Sequence, residues 1–126
     1  MMLYARILWE LARFDILLRC RGLRAVRDPC RRARGDPEIA PEVVRDAFRA
    51  VAPLYWKPIR CLQRSIVTAR VMRRHGIPAE VVIGYRPSPF FSHAWVEVAG
   101  RVVNDSPAYQ RRLHVLERLW AEETCN

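Results

Sequence analysis

Residues 61–105 read CLQRSIVTARVMRRHGIPAEVVIGYRPSPFFSHAWVEVAGRVVND, and this stretch decides the fold. Leu62, Ile66, Ala69 and Met72 or Arg73 recur at three- and four-residue spacing, with Gly76 placed as a stop. That pattern predicts a helix over Cys61–His75. The texture then changes to β-branched and aromatic runs, AEVVIGYR (79–86) and HAWVEV (93–98), separated by PSPFFS. A turn at Gly100–Arg101 leads into RVVND (101–105), so the helix is expected to be followed by a small antiparallel meander.

Upstream, Leu3, Ile7, Leu11, Phe14 and Leu18 form the apolar stripe of an amphipathic helix ending near Gly22. RAVRDPCRRARGDP (24–37) lacks apolar periodicity and reads as an irregular connection. A second helix is predicted from Pro41 to about Ala52, with Pro41 suited to a first turn and Val43, Val44, Ala47, Phe48 and Val51 apolar. Pro53 and Pro58 bracket a loop holding Tyr55 and Trp56. Downstream, Leu113, Leu116, Leu119 and Trp120 predict a terminal helix over Tyr109–Glu122. The expected fold class is therefore α+β: a helical N-terminal region, 1–52, and a core, 53–126, in which a helix packs on a small antiparallel sheet, the two forming one compact unit.

Length and composition bound the possibilities. The chain has 126 residues, 51% of them hydrophobic, which suits one globular domain rather than a disordered chain. Its formal charge is +9, and Lys57 is the only lysine, so arginine carries the excess. Guanidinium forks favour carboxylates and phosphates, which makes nucleic acid an early suspect. The apolar N-terminal stretch is interrupted by Arg6, Glu10, Arg13, Asp15 and Arg19, so it is neither a signal h-region nor a bilayer span. Cys20, Cys30, Cys61 and Cys125 are not spaced as zinc ligands, and no metal or other cofactor is implied. They read as free thiols in a reducing cytoplasm.

Three residues carry a chemical pattern. Cys61 follows a proline-containing loop and opens a helix, where the helix dipole favours a thiolate. His93 lies at the start of one strand and Asp105 at the end of the next, so a tight antiparallel turn makes them neighbours. Cys61 as nucleophile, His93 as base and Asp105 as the acid that orients the ring form the logic of acyl transfer through a thioester. The backbone N–H of Cys61, with a donor from the Tyr55–Arg60 loop, would meet the oxyanion.

At these residues the sequence resembles a known family. The order C-L-x-R-S, H-G-I, H-A-W-V-E and N-D, over roughly Cys61–Pro107, is similar to the transglutaminase-like leader peptidases of lasso peptide biosynthesis. These are the B proteins, called B2 when the recognition domain is a separate chain. The resemblance implies a transglutaminase- or papain-like core and a Cys-His-Asp triad, which falls here on Cys61, His93 and Asp105. It implies as partners a leader-core precursor peptide, a separate B1-type leader-recognition protein, and an asparagine-synthetase-like cyclase that takes the product. The shortness of the chain fits the split form, a cytoplasmic cysteine endopeptidase working with a partner.

Other residues have blander readings. His75 reads as a helix C-terminal residue and His114 as equally structural. Cys20, Cys30 and Cys125 read as structural. Trp95 shares the strand alternation of His93 and reads as core or site wall, Glu97 as a solvated strand residue, with contact to substrate or pairing with an arginine as its alternatives, and Asn104 as pointing away from Asp105. Arg64, one turn after Cys61, reads as half of a structural ion pair, with contact to peptide as the alternative. The runs Arg31–Arg32–Ala33–Arg34 and Arg73–Arg74 read as solvated faces. The rival functions are an acyl transferase using the same triad, an arginine-rich nucleic-acid-binding module, and a catalytically idle scaffold. No RNP-like, KH or zinc-finger pattern supports the nucleic-acid reading.

Overall fold

The stretch that opens at Cys61 forms a helix whose apolar and small residues, Ile66, Val67, Ala69, Val71 and Met72 among them, are interleaved with arginines, and its apolar faces have to be covered. In the computed structural model, which describes residues 2–27 and 36–120, this helix is α4 (Cys61–Arg74) in a chain whose other helices are α1 (Met2–Arg21), α2 (Leu23–Arg27), α3 (Pro41–Val51) and α5 (Ala108–Arg112). Gln63, Ser65, Ile66, Val67, Thr68, Ala69, Val71, Met72 and Arg73 of α4 are all buried. α1 and α3 cover it with Ile7, Leu11, Phe14, Val44, Ala47, Phe48 and Val51, and the sheet covers it with Ala79, Val81 and Val96. Each fully buried side chain of this size stabilises the fold by roughly 1.5–3 kcal/mol. The helix stops where expected: Gly76 takes φ 82°, and the N–H groups of Gly76 and Ile77 return to Arg73 and Met72 carbonyls at 3.2 and 3.0 Å.

Charge pins α1 to α4. Glu10 of α1 is 1% exposed, and Arg70 of α4 donates to it at 2.9 Å, with Arg13 and Arg74 at 3.7 Å. Arg73 is also buried, contrary to its reading as part of a solvated face. It donates to the Ala79 carbonyl at 2.6 Å and the Trp120 carbonyl at 3.1 Å, tying the end of α4 to the first and last strands. Arg31, Arg32 and Arg34 lie outside the described residues, as do Cys30 and Cys125. Within the 24–37 connection, α2 carries helix as far as Arg27.

The fold class is α+β. The sheet is antiparallel, in the order β3 (Arg101–Val102), β2 (Phe90–Val98), β1 (Ala79–Pro87), β4 (His114–Leu119). Val98 pairs with Arg101, so the tight turn is Ala99–Gly100, both at positive φ, rather than Gly100–Arg101. Strand pairing ends at Val102, although the Val103 N–H still reaches the Val96 carbonyl at 3.0 Å. The strand pattern sorts side chains by parity: Val81, Ala94 and Val96 face α4, while Val82, Gly84, His93, Trp95 and Glu97 alternate with them.

The predicted terminal helix is wrong. Only Ala108–Arg112 is helical, and His114–Leu119 is an edge strand on which Leu116 is exposed. The spacing of Leu113, Leu116 and Leu119 imitates a helix because of a bulge. Gly84 pairs with Val115 and Ile83 with Glu117, so Leu116 is the extra residue and the facing side reverses across it. Leu119 therefore joins the α4 core, and Leu113 joins Trp95 and Val82 on the other face.

Gly84 lets Trp95 lie flat across β1. A Cβ at this position would stand 2.6 Å from Trp95 Cη2, 2.8 Å from its Cζ3 and 3.0 Å from Leu113 Cβ. Gly84→Ala is expected to destabilise the protein by about 1–3 kcal/mol through overpacking, measured by urea denaturation. An unchanged midpoint would show that Trp95 is free to move aside.

Candidate active site

Because α4 is held from both sides, its first residue has a defined place. Arg60 is the N-cap in extended conformation and offers no side-chain acceptor, so the first-turn N–H groups are not capped by a side chain. Cys61 stands there as a free, half-buried thiol.

The loop leading to Cys61 is fastened to α1 by one carboxylate. Asp15 accepts hydrogen bonds from the Tyr55 hydroxyl, from Lys57 Nζ at 2.6 Å and from Gln63 Nε2 at 3.4 Å, and Gln63 also donates to the Leu11 carbonyl. Burial pushes the Asp15 carboxyl up, but these donors and the Lys57 charge outweigh it and hold the group below its ordinary value. The same contact, with burial as the larger cause, pushes the Tyr55 phenol up to about 12. The only lysine in the chain thus serves the segment immediately before Cys61.

His93 and Asp105 meet as the strand order implied. His93 Nε2 lies 2.7 Å from Asp105 Oδ2, in a half-buried position. Asp105 Oδ1 accepts the Ser106 N–H at 2.8 Å, which fixes the carboxylate plane. An ionised carboxylate only accepts, so Nε2 carries the proton in this pair and Nδ1 is the ring's basic nitrogen. Asn104 does turn elsewhere: its Oδ1 accepts the Val96 N–H at 2.8 Å, anchoring the 103–105 segment to β2. Among the described residues the Cys61 thiol makes no hydrogen bond to the ring; the pair and the thiol stand on separate elements.

Aromatic rings surround the imidazole. Tyr109 of α5 lies 4.0 Å from it between centroids, with Phe91 at 6.2 Å and Trp95 at 6.4 Å. Trp95, fully buried, donates Nε1–H to Glu97 at 2.8 Å. Glu97 is not a solvated strand residue. It is 1% exposed and also accepts from Arg118 Nη1 at 3.1 Å, while Arg118 bridges onward to Glu80. Arg64 is not half of an ion pair among the described residues: its Nε is buried without a hydrogen-bond partner. His75 caps α4 and lies 3.3 Å from Glu38, and His114 packs on Tyr85, both away from His93.

The family model of the transglutaminase-like superfamily matches residues 1–118. The chain belongs to the transglutaminase-like superfamily. The match takes in the N-terminal helices as well as the segment whose motifs carried the resemblance. Over 59 residues the chain is 42% identical to the microcin J25-processing protein McjB of Escherichia coli. That alignment covers 47% of this chain and 28% of the relative, so the chain spans little more than a quarter of the protein it matches. No solved structure matches. Among the described residues, no helix is long and apolar enough to cross a membrane.

Sequence reading missed Tyr109, which it placed in a longer helix with no role, and the Trp95–Glu97–Arg118 chain. The alternation of Trp95 and Glu97 with His93 was a usable signal for two of these residues. Arg118 had none, because its partner depends on the register of β4.

Asp15→Asn is expected to cost about 1–3 kcal/mol at neutral pH, since it removes the charged acceptor for Lys57 and Tyr55. The folded-state carboxyl is depressed, so its contribution is present above the unfolded value of 3.8 and fades as pH falls through the lower, folded value. Thermal melts should show the two proteins converging below about pH 4. A gap that persists undiminished into strong acid would assign the loss to packing instead.

Proposed function

We propose that this protein is a cysteine endopeptidase that removes the leader from a ribosomally made lasso peptide precursor, acting with a separate leader-binding protein. The observation that carries the reading is the Nε2 bond from His93 to Asp105, which leaves Nδ1 as a base in the Cys, His and Asp order that the resemblance to the leader peptidases implies. Similarity to a protein named for processing microcin J25 supports the substrate class.

The chemistry follows from the roles. His93 Nδ1 takes the proton of Cys61 Sγ, and Asp105 stabilises the imidazolium that results. Sγ attacks the scissile carbonyl carbon, and the negative oxygen is met by first-turn N–H groups of α4, where no side chain competes as a cap. Imidazolium then gives its proton to the leaving amine as the C–N bond breaks, releasing the core peptide and leaving the leader as a thioester on Cys61. Water, deprotonated by the same nitrogen, hydrolyses the thioester and restores the thiol. Tyr109 and Phe91 shield one side of the ring from solvent.

Cys61→Ala should abolish cleavage of precursor in the presence of the leader-binding protein, with folding intact by circular dichroism. Continued processing by that variant would overturn the assignment. Mass spectrometry separates peptidase from acyl transferase, because hydrolysis adds one water to the products and transfer leaves the acceptor joined. Iodoacetamide at neutral pH should label half-buried Cys61 faster than exposed Cys20. Labelling that merely follows exposure would mean that His93 does not activate the thiol.

A further inference from the structure

A small cleft of about 110 Å³ opens beside Asp105, lined by Arg45, Phe48 and Arg49 of α3, Arg64 and Thr68 of α4, and Asn104. Three arginines line it against the single carboxylate of Asp105. Asp105 is already committed, Oδ2 to His93 and Oδ1 to the Ser106 N–H, and Arg45 shares its Nε with Asp46 at 3.0 Å. Two donors are left unmatched. Asn104 is 8% exposed and its Nδ2 has no hydrogen-bond partner, and Arg64 Nε is buried and equally unpartnered. A buried donor left unpaired has lost its water without gaining an acceptor. Two of them in one cationic cleft describe a site built for an acceptor that arrives from outside.

We infer that this cleft binds a carboxylate of the substrate peptide, an aspartate or glutamate side chain near the scissile bond. The inference rests on the peptidase reading for its orientation, and on the cleft alone for its charge. A carboxylate is planar and accepts at four positions, which suits guanidinium N–H groups and an amide N–H₂ together. Its single charge is also better tolerated beside Asp105 than a phosphate dianion would be. Arg64 and Thr68 stand three and seven residues after Cys61 on α4, a rise of about 5–10 Å at 1.5 Å per residue. An extended peptide covers that distance in roughly two or three residues. The acidic side chain therefore belongs two or three residues from the bond that Cys61 attacks.

The probes are the capped tripeptides acetyl-Gly-Glu-Gly-amide and acetyl-Gly-Gln-Gly-amide, titrated into the full chain by NMR, with inorganic phosphate as the third ligand. The glutamate peptide should bind at least tenfold more tightly than the glutamine peptide. Arg45→Gln with Arg49→Gln, on the surface of α3, should remove at least tenfold of that affinity while leaving the iodoacetamide rate of Cys61 unchanged. Equal affinity for the two peptides, or tighter binding of phosphate than of the glutamate peptide, would overturn the assignment. If the glutamate preference stands while Cys61 is unreactive, the peptidase reading fails and the carboxylate site remains.

Discussion

Everything at the candidate site depends on the burial of α4. A helix covered by α1 and α3 on one side and by β1 and β2 on the other cannot slide or rotate without opening the core, because interiors at crystal-like density do not deform smoothly. The start of α4 is thus a fixed point, and Cys61 inherits its position from buried core residues such as Ile66, Val67 and Met72. The Asp15 cluster extends the same control backward. It holds the loop before Cys61 against α1, so the segment leading to Cys61 and the helix that Cys61 opens are anchored to one body.

The second partner of the site is held by the sheet rather than by the helix. His93 lies on β2 and Asp105 beyond β3, and the two-residue turn at Ala99–Gly100 sets their proximity. Asn104 locks the segment by accepting a β2 backbone N–H, so the carboxylate does not depend on the two-residue strand β3 alone. On the outer side Trp95 fills the space that Gly84 leaves, and Glu97 and Arg118 fasten it to β4. The edge strand thereby supports the imidazole from two strands away.

The arginine excess has a structural meaning as well as an electrostatic one. Glu97 accepts from Arg118 and Glu10 accepts on Oε2 from Arg70, both carboxylates nearly inaccessible and both arginines reaching in from partly exposed positions, while Glu10 Oε1 is left without a hydrogen-bond partner. A planar fork on a long apolar stem can do this while keeping part of itself in water. Arg73 uses its fork on two carbonyls instead, closing the end of α4. Arg45, Arg49 and Arg64 line the cleft between α3 and α4, beside the Asp105 carboxylate.

Local chemistry made much of this legible in advance. The limits of α1, α3 and α4 follow from apolar spacing, from Pro41 and from glycines at 22 and 76. β1 follows from β-branched alternation, as does the second half of β2, which begins at Phe90 within the stretch read as a connection and so puts His93 inside the strand rather than at its start; the neighbourhood of His93 and Asp105 follows from a tight turn. These are rules of period and backbone freedom that a chain obeys whatever surrounds it. The fate of residues 113–119 did not follow, because a bulge gave a strand the spacing of a helix and only pairing with β1 reveals it. The burial of Glu97 and Arg73, the contact of Tyr109 with the imidazole and the cleft between α3 and α4 were also undecided. Each joins groups distant in the chain, and their energies exist only once long-range packing has excluded water. By itself the sequence determined α1, α3, α4 and the first strands, and the order of Cys61, His93 and Asp105; the tertiary structure decided the last strand and which charges are buried, because pairing and desolvation belong to the assembled fold and not to any one segment.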